Sequence, residues 1–208
     1  MRVKEDIMEP DELLKQATNK KRAGDLESAI RLLREAYNEI SKSQVYYTVE
    51  TFLRLPAYLQ EAGKGDEAWR ELNNLIAAGY PNQSKNPLIT PIDHSRIYDA
   101  MRLFLQREGK SESAVKFGLL SYVCGGLALY RQGHSTDPDE FFLQERRERL
   151  RTDFSRDKIE LTVNKLLKKA GKEQLREKVS SIVEKYVNKL PNIKLGELAQ
   201  EIDEAILK

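Results

Sequence analysis

The chain has 208 residues, 40% of them hydrophobic and 33% charged, with 35 basic against 33 acidic side chains. That is enough apolar mass for one domain with a real core, and too balanced a charge for a global field that would draw the protein onto nucleic acid or a membrane. One cysteine, Cys124, excludes an internal disulfide; the opening Met1-Arg2-Val3-Lys4-Glu5-Asp6 lacks the apolar centre of a signal peptide, and no stretch approaches the roughly 18 uncharged apolar residues of a membrane span, so a cytoplasmic protein without a membrane partner is expected.

In chain order the segments are rich in Leu, Glu, Lys, Arg and Ala, and none alternates cleanly enough to compete as a strand, so the chain reads as all-α. In the first segment Leu13, Ala17 and Lys20 share a face; in the next Ala29, Ile30, Leu33, Ala36, Tyr37 and Ile40 form an apolar stripe. Between them lies Gly24-Asp25-Leu26-Glu27-Ser28-Ala29, a glycine followed five residues later by alanine. The spacing recurs in Gly63-Lys64-Gly65-Asp66-Glu67-Ala68 and in Gly109-Lys110-Ser111-Glu112-Ser113-Ala114. The second copy is flanked by Phe52, Leu55 and Leu59 and then by Ala68, Trp69, Leu72, Leu75 and Ile76; the third by Tyr98, Met101 and Leu105 and then by Ala114, Val115, Leu119 and Tyr122. The recurring unit is helix, tight turn, helix, and a stack of such units is an α-solenoid.

On Leu13, Ala17, Gly24, Asp25, Ala29, Leu33 and Ala36 the first unit resembles a tetratricopeptide repeat. The later copies depart from the pattern: Pro56 and Arg102 stand where Ala17 stands, and Leu75 and Ser121 where Ala36 stands. Glycine to glycine is 39 residues and then 46, against a family period of about 34. The resemblance spans roughly residues 10 to 130 and implies a divergent, right-handed solenoid of three tetratricopeptide-like units.

Pro56 lacks a backbone donor and is expected to kink or break its helix. From Gly79 to Asp93 three prolines exclude a helix, and the segment is long for a connection; it either staples two units or contacts a ligand. After Gly133 the helices become highly charged and lose the turn motif, which divides the chain into a repeat array over 1–133 and a C-terminal helical region over 134–208. Asp137 as cap, Pro138 in the first turn and Glu140 reaching back open that region. Its apolar stripes are Ile159, Val163, Leu166, Leu167 and Ala170; Leu175, Val179, Ile182, Val183, Tyr186 and Leu190; and Leu195, Leu198, Ile202 and Ile206. They either cap the array or mediate self-association.

With two histidines and one cysteine the chain is poorly supplied for catalysis or metal binding, and neither a catalytic residue, a metal nor a cofactor is expected. His94 is expected at the start of a helix that Asp93 or Ser95 caps. Cys124 lies in an apolar run and reads as a small buried hydrophobe. Gly125-Gly126 lacks the remainder of a phosphate-binding motif and reads as a place of close helix approach. Of the aromatic residues, Tyr46, Tyr47, Tyr58 and Tyr80 are the ones the repeat spacing does not use.

In the family that the chain resembles, the first helix of each unit lines a groove that holds a peptide or partner helix. The corresponding inward positions are Leu14, Thr18, Lys21 and Arg22; Leu53, Arg54, Ala57 and Glu61; and Arg96, Asp99, Leu103 and Arg107. The resemblance thus implies an adaptor whose groove, through Lys21, Arg22, Arg54, Arg96, Asp99 and Arg107, takes an acidic or carboxylate-ended peptide, because guanidinium groups pair with carboxylates. Leu14 and Thr18 stand where a chaperone-tail clamp would need Lys and Asn. The alternative is nucleic acid: residues 145–189 carry 14 basic and 8 acidic side chains, Lys165, Lys168, Lys169 and Lys172 among them. Acids are interleaved there, and no complete helix-turn-helix signature accompanies them.

Overall fold

Leucine- and alanine-rich amphipathic segments fold as helices because one apolar face of each can be buried. The computed structural model describes residues 9–136 and 140–207, and among these the chain is all-helical, without a strand. It separates into two compact units, the chain dividing between Ser84 and Lys85, whereas the motif-based division falls at 133.

Unit 1 holds α1 (Pro10–Arg22), α2 (Leu26–Lys42), α3 (Val49–Glu61) and α4 (Gly65–Ala77), each packed on the next. Its core is Leu13, Ala17, Ala29, Leu33, Ala36, Ile40, Phe52, Leu59 and Leu72, with Val49 and Tyr80 added from positions outside the repeat stripes. Pro56 does not break α3: the helix runs through it, with Pro56 buried. Burying Phe52, Leu55, Tyr58 and Leu59 around it contributes about 1.5–3 kcal/mol each, which outweighs the roughly 3 kcal/mol that an interior proline costs.

Unit 2 holds α5 (Thr90–Arg107), α6 (Ser111–Gly133), α7 (Glu140–Asp153), α8 (Arg156–Ala170), a 3-10 turn (Glu173–Leu175), α9 (Arg176–Val187) and α10 (Leu195–Ile206). Helix α6 is its centre. Val115, Leu119, Leu120 and Val123 share one core with Ile159, Val163 and Leu167 of α8, Val179, Val183 and Tyr186 of α9, and Leu198, Ile202 and Ile206 of α10. The apolar stripes beyond Gly133 therefore close on the third helix pair and on one another. The expected cap at Asp137 and Pro138 lies outside the described residues. One expectation is corrected: an 18-residue window of α6 has a mean hydropathy of 1.3, so by length and composition alone this helix is long and apolar enough to cross a membrane. Half of that window is buried inside the unit, and Lys116 of the same helix pairs with Asp203 at 2.6 Å.

The segment from Gly79 to Asp93 is divided between the units. In unit 1 Tyr80 stacks on Phe52 at 4.7 Å between ring centres, and the Asn82 amide donates to the carbonyls of Ile40, Ser43 and Val45 at 2.9 to 3.0 Å. The Ser43 and Val45 carbonyls, just beyond the C-terminus of α2, where helix carbonyls run out of partners, obtain a donor there, while the Ile40 carbonyl also accepts from Ser43 N–H at 3.1 Å. In unit 2 the Arg131 guanidinium donates to the Pro87 carbonyl at 2.9 Å. The prolines do not exclude a helix throughout: α5 already begins at Thr90, with Pro91 in its first turn, where no donor is required.

All three motif glycines end a helix in the left-handed region, with φ of +81° at Gly24, +76° at Gly63 and +72° at Gly109. In each turn the next residue's N–H reaches back five residues: Asp25 to Lys20 at 3.0 Å, Lys64 to Leu59 at 2.8 Å and Lys110 to Leu105 at 2.8 Å. This is the Schellman arrangement that reverses a chain after a helix. The alanine five residues on is fully buried in every copy, so the second helix starts close against its neighbour. A Cβ on these glycines would meet nothing within 4 Å, which makes backbone conformation the sole reason for glycine. We predict that Gly24→Ala, Gly63→Ala and Gly109→Ala each destabilise the protein by about 1–2 kcal/mol, read as a lowered urea midpoint with an unchanged helical spectrum.

Candidate functional site

The groove positions of unit 1 are largely occupied by the unit itself. The Arg54 guanidinium, on α3, donates through Nη2 to the Leu14 carbonyl and to Thr18 Oγ1 of α1, both at 2.8 Å. Lys21 Nζ, on α1, pairs with Glu61 of α3 at 2.7 Å and lies 4.8 Å from the centre of the Tyr58 ring. Leu14 is buried. The structure thus brings together Leu14, Thr18, Lys21, Arg54 and Glu61, but as a polar seam between two first helices, with Arg54 engaged by α1. Arg22 is exposed at the end of α1.

In unit 2 Arg96 and Arg107 are exposed on α5. Asp99 accepts from Arg102 Nε at 2.7 Å, and Arg102 Nη1 donates to Gln106 at 3.0 Å. These contacts hold Arg102, whose side chain is only 16% exposed, along the wall of an open cleft of about 400 Å³. Leu161, Thr162, Lys165, Leu166 and Lys169 of α8 form the opposite wall, and Gly118 of α6 the floor. A Cβ at Gly118 would stand 2.8 Å from a Leu166 methyl and 2.9 Å from Arg102 Cδ, so glycine is what lets those two side chains settle over α6. The sequence had placed Asp99 with a peptide groove and Lys165 and Lys169 with nucleic acid; the fold puts them around one cleft. Arg102 and Leu161 were missed because neither the repeat pattern nor a charge count relates α5 to α8.

Beyond Gly133 the same glycine turn closes α8, although the residue five positions on is Arg176 and not alanine. Gly171 has φ +66°, and Lys172 N–H bonds to the Leu167 carbonyl at 3.0 Å, as in the three earlier turns. The dipeptide Gly171-Lys172 repeats Gly63-Lys64 and Gly109-Lys110 and was the available signal.

The remaining chemical candidates are packing residues. Cys124 is 1% exposed, and burial pushes its thiol up to about 12. Burial pushes the His94 imidazole below its usual range, opposed by Asp93. Neither Asp93 nor Ser95 caps α5: Asp93 is buried within its first turn, and the Ser95 hydroxyl donates to the Ser121 carbonyl at 2.9 Å. His134 donates through Nδ1 to the Tyr130 carbonyl at 2.8 Å. At Gly126 an added Cβ would lie 2.8 Å from the Phe154 ring, which itself stacks on Tyr122 at 4.4 Å, so of the glycine pair it is Gly126 that admits a close neighbour, while a Cβ at Gly125 would meet nothing nearer than 4.0 Å. Tyr58 and Tyr80 are buried, Tyr47 donates to Asp11 at 2.8 Å, and Tyr46 is exposed. Among the described residues no three His, Cys, Asp or Glu side chains converge as a metal site would require.

Compared with known proteins, the chain matches no family model, no curated protein and no solved structure.

Two outcomes follow from this geometry. Arg54→Glu should lower the stability of unit 1 by about 2–4 kcal/mol, because it removes charge-assisted hydrogen bonds and places a carboxylate against a carbonyl; chemical denaturation measures it. Cys124 should resist iodoacetamide at pH 8 in the folded protein and react once the chain is unfolded in urea, since only the thiolate reacts and burial disfavours it.

Proposed function

We propose that the chain is a divergent tetratricopeptide-like array acting as an adaptor: it recognises an acidic segment of a partner protein without transforming it. One observation carries this reading. The same helix pair, closed by the same left-handed glycine and the same backbone hydrogen bond, occurs three times, as expected of a repeat scaffold that offers first-helix faces to a ligand. The seam of Lys21, Arg54 and Glu61 between α1 and α3 supports a side-by-side stacking of first helices, the arrangement a right-handed solenoid uses. The closing of α8, α9 and α10 on the third pair supports a capping role for the C-terminal helices. An acidic ligand accords with exposed Arg22, Arg96 and Arg107.

A second reading, nucleic-acid binding, is favoured by exposed Lys165, Lys168 and Lys169 on one helix. Affinity capture from lysate at low salt, with and without nuclease, separates the two. Under the adaptor reading a protein is retained in stoichiometric amount after nuclease, and Arg96→Glu/Arg107→Glu reduces its retention about tenfold while the helical spectrum is unchanged. Retention of nucleic acid alone, released by modest salt, rejects the adaptor.

A further inference from the structure

The cleft of unit 2 has three properties that together specify a ligand. First, its charge is not balanced internally. Arg102 is satisfied by Asp99 and Gln106, but Lys165 and Lys169 have no ion-pair or hydrogen-bond partner among the described residues. Second, those two ammonium groups stand on α8 one turn apart, about 6 Å along the helix axis. Third, the wall that carries them also presents, beside Thr162, two leucines: Leu166, half-buried, and Leu161, 61% exposed.

We propose that this cleft docks an acidic amphipathic helix of a partner protein, an inference that rests on the protein-recognition reading above. A ligand helix with carboxylates four residues apart repeats the spacing of Lys165 and Lys169, so both pairs form at once. An aliphatic side chain from the same face packs against Leu161 and Leu166, which is the helix-in-groove mode of recognition. Removing the Leu161 side chain from water on docking adds apolar burial to the charge pairing.

Other occupants fit less well. A single-stranded nucleic acid binds by stacking its bases on aromatic rings as well as by charge, and no ring lines this cleft. A second copy of the chain would have to offer α10, its acidic amphipathic helix, but the apolar face of α10 is already buried on α6. A small molecule would leave the exposed Leu161 strip unused.

The test uses the full chain and fluorescence anisotropy at low salt. The probes are a labelled peptide of about five helical turns with Leu on one stripe and Glu flanking it, the same peptide with Lys for Glu, and a labelled oligothymidine. The acidic peptide is expected to bind and the basic one not. Lys165→Glu/Lys169→Glu should weaken binding about tenfold or more, and Leu161→Ser about threefold or more; both variants change exposed side chains, and circular dichroism verifies that they fold. Absence of acidic-peptide binding, binding indifferent to both variants, or oligothymidine binding abolished by the lysine variant in place of peptide binding each overturns the cleft assignment. Failure here is distinguishable from failure of the adaptor reading: a captured partner protein held equally by the wild type and by Lys165→Glu/Lys169→Glu rejects this cleft and leaves protein recognition standing.

Discussion

A helix that must be followed at once by an antiparallel partner has to reverse the chain while its last carbonyls still need donors. Here a residue in the left-handed region does both, because it turns the backbone and points the next N–H at the carbonyl five residues back. Gly24, Gly63, Gly109 and Gly171 all perform this reversal. The buried alanines Ala29, Ala68 and Ala114 then let the second helix start in close contact. The caps that follow are unequal. Asp25 accepts from Ser28 N–H at 3.1 Å, whereas Lys64 and Lys110 hold the same position without a side-chain cap. Reversal rather than capping is thus the shared requirement.

The two units dispose of their charge differently. In unit 1 Lys21 and Arg54 are engaged by Glu61, a carbonyl and a hydroxyl, so they hold α1 and α3 together. In unit 2 α8 carries Lys165 and Lys169 outward beside Leu161 and Leu166, while neighbouring positive charge on Arg102 is met by Asp99. Surface ion pairs contribute little to stability, but an unpaired pair of cations at fixed spacing can discriminate among ligands by charge and register.

Glycine serves two unrelated ends in this chain. At the turns it supplies a backbone conformation into open space; at Gly118 and Gly126, within α6, it supplies room for Leu166, Arg102 and Phe154. The second use brings α5, α8 and the turn between α7 and α8 close to one helix, on which α9 and α10 pack as well. It also explains why α6 combines a membrane-like composition with the contacts of a core helix: a helix surrounded by others has little face left for polar residues.

The sequence by itself determined the helical class, the three reversals and most of the core, because helical periodicity and a left-handed glycine are local constraints that few residue types satisfy. It determined that Cys124 and Gly125-Gly126 belong to packing, since their apolar setting was visible in the neighbouring residues. It did not determine that α3 would run through Pro56 or that α5 would begin at Thr90, because tertiary burial outweighs local propensity at both places. Nor could it set the cleft of Arg102, Gly118, Leu161 and Lys165 on one surface. Those residues come from three helices, and their meeting is decided by how α5 and α8 pack across α6, a relation that no spacing along the chain encodes.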